Sequence, residues 1–447
     1  MHDTTTRREW AALLAAAAAV AILLGLVGRY APWISPDTQS YLIVPPLPAG
    51  WGEPRHPLFG WMVALVPGGV AALPLVQTLA FLGATLFLHH ALRLCGLSAR
   101  GAGSVTAALF GSNLLLLWHA AIHPEFPAVS VMLAALAFCA RCAAGRAFDV
   151  NALLFALCLG LAYVLRPSFL PAIVLLPLLY ALLARMRGEA RIGRRAAALL
   201  LLAALPFLAN STIRWRAVGD FNSVSFGGYQ RSGMAGLMLT PQIVAALPED
   251  VRPLGQSILD IRTAAEANGE VIATPENSRG ERSFVSTAIG YYDLYARTYD
   301  DLLQTRIGSL RGGESWVAFN ARLMKLSVAT IRLAPDRYAA WLVGGTMRLV
   351  GRALAGNLAF VLSAGAFVLL YVAAIWRGRL TEARAAAEPD VPALLCLTLA
   401  TVAAAGALTV VTTFPAARYI DTVGLFIPAL PLYGCATCLS ALRRRVA

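Results

Sequence analysis

The chain has 447 residues, of which 58% are hydrophobic and 14% are charged, and its mean hydropathy is +0.65. Soluble globular chains contain about 45–50% apolar and about 25% charged residues. The composition therefore excludes a water-soluble globular protein, because too little polar surface is present to cover one. The formal charge is +13, and Lys325 is the sole lysine. These charges lie between apolar segments, which indicates membrane orientation rather than nucleic-acid binding.

Apolar segments long enough to cross a bilayer recur along the chain. A membrane-spanning helix requires about 20 mostly apolar residues. The first segment follows Arg7 and Arg8 and is longer than the apolar core of a secretory signal peptide, about 7–15 residues, so we interpret it as a membrane anchor. The sequence predicts an all-α polytopic membrane protein with about ten transmembrane helices, at 10–28, 72–92, 103–119, 127–141, 150–165, 168–184, 196–213, 353–376, 391–412 and 421–441.

The distribution of arginine predicts the orientation of these helices. With the N-terminus in the cytoplasm, the inner segments carry seventeen arginines and the short outer loops carry four. Cytoplasmic loops carry the excess of positive charge in membrane proteins. We therefore expect a multi-pass protein of the plasma (inner) membrane, with both termini in the cytoplasm and any active site on the extracytoplasmic side.

Two outer segments divide the chain into three regions. The first outer loop, 29–71, is rich in Pro, Trp and Gly and belongs to an N-terminal transmembrane module, 1–213. The second, 214–352, is too long for a plain connector. Its apolar residues recur at spacings of three and four over 284–308 and 314–333, which predicts amphipathic helices at the membrane surface. The C-terminal transmembrane helices follow at 353–447.

Charged side chains of opposite sign stand close to the outer ends of the spans. A carboxylate can remove a proton from an attacking hydroxyl group, and arginines bind phosphate through bidentate, permanently charged hydrogen bonds. Together these groups favour transfer of a group away from a lipid-linked phosphate. In the alternative interpretation, the arginines only extend to the membrane interface and Asp37 caps a short helix at 38–42. The carboxylates are Asp37, Glu53, Glu125 and Asp421, and the arginines are Arg55, Arg166, Arg214 and Arg418.

The sequence offers only a weak metal-binding pattern. His119 and His123 are four residues apart with Glu125 beyond them, a spacing that occurs in metal sites on helices. Interfacial histidines explain the pattern equally simply, so we assign no metal ligand, although a divalent metal ion stays possible. The Cys139-x-x-Cys142 and Cys435-x-x-Cys438 pairs lie in or near apolar spans, where cysteine is a small buried residue. Four tyrosines predict an interfacial aromatic stripe: Tyr291, Tyr292, Tyr295 and Tyr299.

Short motifs stand at the outer ends of the spans in a distinctive order. Ser35-Pro36-Asp37 follows the first span, and Pro54-Arg55-His56-Pro57-Leu58-Phe59-Gly60-Trp61 follows later in the same loop. Further along the chain are Ala120-Ala121-Ile122-His123-Pro124-Glu125, Gly160-Leu161-Ala162-Tyr163-Val164-Leu165-Arg166-Pro167, the segment Ile213–Phe221, and Arg418-Tyr419. In order and spacing these motifs resemble GT-C glycosyltransferases, and most closely the branch that contains protein O-mannosyltransferases and bacterial lipid A aminoarabinose transferases.

This resemblance implies a function and a set of residues. It implies a GT-C-like fold, a polyprenyl-phosphate-linked sugar donor, inversion at the anomeric carbon, and an extracytoplasmic glycolipid, polysaccharide or protein acceptor. It makes Asp37 the general base and places Arg55 where the family has a phosphate-binding lysine. Here the chain departs from the family pattern, because Pro54 stands at the glutamate position and His56 at the first proline. Either Glu53 or Glu125 would then be the second carboxylate. The other substrate-binding candidates are His56, Arg166, Arg214, Arg418 and Tyr419.

Two other classes of function compete with the transferase. A lipid or glycan transporter (a flippase) favours repeated halves, broken helices and charges near the bilayer midplane. The sequence has no evident repeat, and its mid-span positions are apolar. The other class is a non-catalytic subunit of an envelope glycan assembly complex, for which an amphipathic outer domain suffices.

Overall fold

The computed structural model describes residues 2–35, 37–43, 49–269, 304–387, 390–412 and 417–443. The described residues are helical apart from turns and loops, and their one extended pairing is an isolated bridge between Trp33 and Ala121. The α-helices in chain order are α1 (His2–Leu26), α2 (Thr38–Leu42), α3 (Leu58–Leu65), α4 (Gly69–Leu94), α5 (Ala99–Phe110), α6 (Glu125–Ala143), α7 (Phe148–Leu165), α8 (Ala172–Met186), α9 (Ile192–Val218), α10 (Gly227–Met238), α11 (Pro241–Ala246), α12 (Arg252–Ala267), α13 (Gln304–Ser309), α14 (Trp316–Leu333), α15 (Pro335–Ala355), α16 (Leu358–Trp376), α17 (Leu380–Ala387), α18 (Val391–Thr412), α19 (Ala417–Val423) and α20 (Ala429–Arg443).

Nine helical segments in the described part of the chain are long and apolar enough to cross a membrane. This confirms a multi-pass helical membrane protein. Two of the segments are composite: α5 continues through a π-helical turn at Leu114–Trp118, and α19 is joined to α20 through a 3₁₀ turn at Gly424–Phe426. The segments are Thr6–Leu26, Gly69–Leu94, Ala99–Trp118, Glu125–Ala143, Phe148–Leu165, Ile192–Val218, Leu358–Trp376, Val391–Thr412 and Ala417–Arg443.

The span predicted at 168–184 is shorter than expected. A 3₁₀ turn at Pro167–Phe169 and then Pro171 delay the start of the helix, so α8 has 15 residues, about 22 Å at 1.5 Å per residue. It nevertheless extends between the two ends of the bundle. Ser168, just before it, lines a cavity at one end, and Arg187, just after it, donates to the Leu94 carbonyl, 3.0 Å away, at the far end of α4.

The core of the bundle consists of α6 and the helices packed around it. In the most apolar 18-residue stretch of α6, 72% of the residues are buried. The corresponding share in α1 is 11%, because most of its side chains face outward. Small residues on the buried faces of α6 allow neighbouring backbones to approach closely; among them are Ala128, Ala135, Ala137, Ala140 and Ala143. The α6 helix therefore gives the fold a rigid centre, and its N-terminus begins at Glu125.

The long segment predicted at 214–352 is helical where the structure describes it. The predicted helix at 314–333 is confirmed as α14, whose start is capped by Ser315. The tyrosine stripe lies outside the described residues. The helix predicted at 284–308 also lies outside them, except for residues 304–308, which belong to α13. The α10 helix packs closely on α14 at Gly228, where an added Cβ would lie 2.0 Å from the Asn320 carbonyl oxygen. Asn320 also accepts the backbone N–H groups of Gly228 and Tyr229 through its side-chain oxygen.

Candidate functional site

The motifs singled out in the sequence meet at one end of the helix bundle. They occupy the loop after α1, the start of α6, the turn after α7 and the start of α19. Two backbone hydrogen bonds join the first loop to the segment before α6, from Trp33 N–H to the Ala120 carbonyl and from Ile122 N–H to the Trp33 carbonyl. Residues 87 and 89 positions apart in the chain are thereby neighbours.

Asp37 forms an ion pair with an arginine near the C-terminal end of the chain. Its Oδ2 lies 3.1 Å from an Nη of Arg418. Although Asp37 occupies the N-cap position of α2, its side chain makes no capping hydrogen bond. Capping therefore does not explain this carboxylate, whose side chain faces Arg418 and keeps 38% of its surface exposed.

Arg418 also contacts the second carboxylate of the cluster. Its Nε lies 3.3 Å from Oε1 of Glu125, whose side chain is only 8% exposed. The other carboxylate oxygen of Glu125 has no hydrogen-bond partner among the described residues. Arg418 thus joins an exposed carboxylate and a buried one, and the buried one keeps an oxygen free.

His123, which the sequence suggested only as a metal ligand, also belongs to this cluster. Its Nε2 is hydrogen-bonded to the Ser35 hydroxyl, and its Nδ1 lies 3.9 Å from Oε2 of Glu125. Burial lowers the pKa of His123 below its ordinary value, although Glu125 opposes this effect. His123 is therefore neutral at neutral pH, and it holds the first outer loop against the start of α6.

A cavity of about 330 Å³ lies beside these charges. Glu125, Arg166 and Tyr419 line it on the side of the transmembrane helices, together with Arg55 and Tyr41 of the first outer loop. Asp37 and Arg418 do not line it directly, but both are connected to it through Glu125 and Tyr419. The cavity therefore brings together groups from four of the motifs.

Arg166 is buried in the cavity wall with hydrogen-bonding capacity left over. It is 5% exposed, and one Nη donates to the Thr422 hydroxyl, 2.8 Å away. Its Nε and second Nη have no hydrogen-bond partner among the described residues. The guanidinium also lies over the ring of Tyr419, 4.9 Å from the centroid. Burial lowers the pKa of Arg166, with Glu125 opposing the effect, which indicates a cation that lacks full compensation.

Arg55 is held between two aromatic rings. Its guanidinium carbon lies 4.6 Å from the ring centroid of Tyr41 and 4.1 Å from that of Phe226. No carboxylate in the described part of the chain lies within ion-pairing distance of it. Burial alone lowers the pKa of Arg55, but Tyr41 and Asp37 raise it above its ordinary value. The side chain is therefore a fixed cation that faces the cavity.

Another part of the cavity wall comes from the long outer segment, and it was not predicted from the sequence. Polar side chains of this wall are Asn222, Gln230, Arg231 and Asn320. Asn222 belongs to the loop between α9 and α10, and the other three belong to α10 and α14, which pack together at Gly228. The sequence at 227–233 is rich in Gly and Ser, and this composition does not show which side chains face inward.

Arg214 was predicted to bind phosphate, but the structure places it away from the cavity. It is 1% exposed, and it donates to the Trp51 carbonyl at 2.6 Å, to Asp220 at 3.1 Å and to the Ser225 hydroxyl at 2.6 Å. Asp220 in turn accepts from Ser225 and Asn222. Burial raises the pKa of Asp220, but these hydrogen bonds and Arg214 give a net lowering. Arg214 therefore anchors the first outer loop to the end of α9.

The remaining candidates occupy different positions. His56 lines the cavity, but its Nδ1 accepts the backbone N–H of Leu58, and burial lowers its pKa to about 4. Glu53 is half-buried in the same loop and does not line the cavity. Asp421 accepts hydrogen bonds from Asn113 at 3.0 Å and from the Trp118 indole at 2.7 Å. It therefore ties α19 to the end of the third span.

Among the described residues, no group of three or more His, Cys, Asp and Glu side chains is arranged to hold a metal ion. His119 is fully buried, with its ring edge-on to Tyr30 at 5.9 Å. The described part of the chain therefore contains no set of ligands for a divalent metal ion.

Comparison with known proteins adds no name to this site. The chain matches no protein-family model, no curated protein and no solved structure. The interpretation of the site therefore depends on its geometry and on the resemblance of the short motifs.

Proposed function

We propose that the protein transfers a sugar from a polyprenyl-phosphate-linked donor to a hydroxyl group of an acceptor, at the end of the bundle that carries the cavity. The observation that carries this proposal is the state of Arg166, a buried cation whose Nε and Nη2 both lack a hydrogen-bond partner among the described residues. A buried charge without compensation is costly, so a ligand of opposite charge fits this wall. A phosphate also matches the planar, bidentate geometry of a guanidinium.

Arg55 supplies the second contact for the phosphate. The two rings fix its guanidinium without occupying its N–H groups, which stay available for an anion at the cavity surface. In glycosyl transfer the phosphate gains charge as the glycosidic C–O bond breaks. Fixed cationic donors at that position lower the barrier, and a single such donor contributes about 3–4 kcal/mol.

Asp37 is the group that takes the proton. The acceptor oxygen attacks the anomeric carbon from the face opposite the phosphate, its proton passes to the Asp37 carboxylate, and polyprenyl phosphate leaves. The configuration at the anomeric carbon is therefore inverted. Asp37 suits this role better than Glu125 because it is more exposed and so can meet an acceptor from outside the bundle. Arg418 positions both carboxylates, and Glu125 keeps Arg418 in place.

The position of the cavity suits a lipid donor. Arg166 lies at the end of the apolar α7 helix, and Leu408, Thr409 and Thr412 of α18 also line the cavity. A phosphate bound here lies at the level where membrane helices end, which is where the headgroup of an isoprenoid lipid lies. By the arginine distribution, this face is the extracytoplasmic one. The order of the motifs, which resembles that of GT-C glycosyltransferases, supports the same reaction.

Reconstitution tests the proposal. The purified chain is placed in liposomes with a radiolabelled polyprenyl-phosphate sugar and a set of glycolipid, polysaccharide and protein acceptors. The proposal expects labelled sugar on an acceptor together with release of unglycosylated polyprenyl phosphate. Movement of intact donor between leaflets without sugar release would instead indicate a flippase. An absence of both, in protein shown to bind the donor, would favour a non-catalytic subunit.

A further inference from the structure

A second cationic site lies at the opposite end of the bundle from the cavity. Here the beginning of α5 meets the last turn of α20, and Arg100 donates from an Nη to the Ser440 hydroxyl, 2.8 Å away. Between the two helices is a shallow notch of about 470 Å³, lined by Arg100, Ala436, Leu439, Ser440 and Arg443. None of these residues contributes to the cavity described above.

The two arginines of the notch have no acidic partner in the described part of the chain. Neither Arg100 nor Arg443 forms an ion pair with a described carboxylate, and both side chains are exposed. Asp390, a carboxylate of the same region, is 3% exposed and accepts hydrogen bonds from the backbone N–H and hydroxyl of Ser98. Arg100 and Arg443 therefore present two guanidinium groups to one concave surface, and no described carboxylate forms an ion pair with either.

The other side of the notch belongs to α20, a membrane-facing helix that contributes the apolar side chains of Ala436 and Leu439. Ala436, Leu439, Ser440 and Arg443 are spaced so that they share one face of α20. Leu439 is 39% exposed in a helix that belongs to a candidate membrane span. The surface thus passes within a single turn from an aliphatic side chain to a hydroxyl and a guanidinium, which is the order of chemistry along a phospholipid from acyl chain to headgroup.

We infer that the Arg100–Arg443 notch binds an anionic phospholipid of the adjacent leaflet, with the lipid phosphate between the two guanidinium groups and an acyl chain along Leu439. Basic pockets between membrane helices bind anionic headgroups in this way. The aliphatic wall favours a membrane lipid over a free phosphate compound. This inference does not depend on the proposed transferase activity.

Native mass spectrometry of the full-length protein tests the notch. The protein is titrated with dioleoylphosphatidylglycerol, with zwitterionic dioleoylphosphatidylcholine, and with soluble glycerol 3-phosphate. We expect one high-affinity site for phosphatidylglycerol, whose affinity falls at least about tenfold in the R100Q/R443Q double variant, since each basic residue near an anionic lipid contributes about a factor of five. The control is R185Q, which removes an exposed arginine at the same end of the bundle, outside the notch.

Each measurement can overturn the inference. Equal affinity of the wild type for the two phospholipids would remove the role of charge. Unchanged phosphatidylglycerol affinity in the double variant, or an equal loss in R185Q, would place the lipid elsewhere. Binding of glycerol 3-phosphate as tight as that of phosphatidylglycerol would make this a site for soluble phosphates. As a readout on folded protein, phosphatidylglycerol should raise the melting temperature of the wild type and of R185Q more than that of the double variant.

Discussion

Two buried arginines at the same end of the bundle show how one residue type can serve different purposes. Arg214 donates to a carbonyl, a carboxylate and a hydroxyl of the protein. Arg166 donates to a single hydroxyl, and its Nε and Nη2 lack hydrogen-bond partners among the described residues. Both Nη groups of Arg214 have partners in the protein, and only its Nε lacks one in the described part of the chain. Arg214 therefore stabilises the fold, whereas Arg166 keeps more hydrogen-bonding capacity for the phosphate that we propose it binds.

The first prediction tests whether the cluster beside Arg166 performs chemistry. Replacing Asp37 with Asn keeps the size of the side chain but removes the proton acceptor. We expect turnover to fall by at least about a thousandfold, within the range of general acid–base contributions, in a protein that still binds polyprenyl phosphate. The measurement is sugar transfer in liposomes, with donor binding followed in parallel. The control is E53Q, at a carboxylate outside the cavity. Retention of more than about a tenth of wild-type turnover, a barrier change under 1.4 kcal/mol, would argue against a general base.

The second prediction concerns Arg214, both of whose Nη groups donate to other groups of the protein. R214Q leaves Asp220 without its cationic partner and the Trp51 carbonyl without its donor. Loss of one member of a buried pair costs about 3 kcal/mol, so we expect a clear drop in the melting temperature. The protein that stays folded should bind polyprenyl phosphate with wild-type affinity. A large loss of donor affinity at unchanged stability would reverse the roles assigned to the two arginines.

The third prediction is the counterpart at Arg166. R166Q removes a cation from the proposed phosphate site, and we expect kcat/KM to fall about a hundredfold, since one such donor contributes about 3 kcal/mol. Stability should change little, because the charge that is removed lacks full compensation. Thermal unfolding and transfer kinetics should therefore separate the two variants. R166Q should lose activity and keep its stability, whereas R214Q should lose stability and keep its donor affinity. If R166Q instead unfolded the protein and left the kinetics of the folded fraction unchanged, Arg166 would be structural.

The fourth prediction is smaller and concerns the donor complex. R55A should weaken binding of polyprenyl phosphate about tenfold, because it removes a hydrogen bond between charged groups, which contributes about 1.5 kcal/mol or more. The matched control is R29A, which replaces an arginine of the same outer loop outside the cavity lining. Donor affinity that is insensitive to R55A but sensitive to R29A would remove Arg55 from the site.

The smallest effect is expected at His56. Because its pKa is about 4, His56 is neutral from pH 6 to pH 8 and contributes no charge to phosphate binding there. H56Q should therefore leave both the donor affinity and its pH dependence over this range within about twofold of the wild type. An inflection near pH 6.5 that disappears in H56Q would mean that the histidine titrates as a cation in the site.

The sequence predicted the helices better than the site. Hydropathy located most spans within a few residues, as for 72–92 against the observed Gly69–Leu94, because membrane helices follow a simple rule of length and polarity. It failed at 168–184, where the prolines at 167 and 171 shorten the helix. Asp37, Glu125 and Arg418 were singled out separately, and their contacts depend on how distant helices pack.

What the sequence could not do was distinguish Arg166 from Arg214. Both are arginines at predicted outer ends of spans, and local pattern treats them alike. The difference arises because the chain after α9 folds back to present Asp220 and Ser225 to Arg214, whereas among the described residues only the Thr422 hydroxyl accepts a hydrogen bond from Arg166. The wall that contains Gln230 and Arg231 was equally inaccessible, since it depends on the close packing of α10 on α14 at Gly228.

The most direct test is an experimental structure of the protein with bound polyprenyl phosphate. Our account predicts that the phosphate lies in the cavity, within hydrogen-bonding distance of both Arg55 and Arg166, with Asp37 open to an acceptor on the outer side. A phosphate bound to Arg214, or a lipid bound only outside the cavity with Arg166 unoccupied, would contradict it.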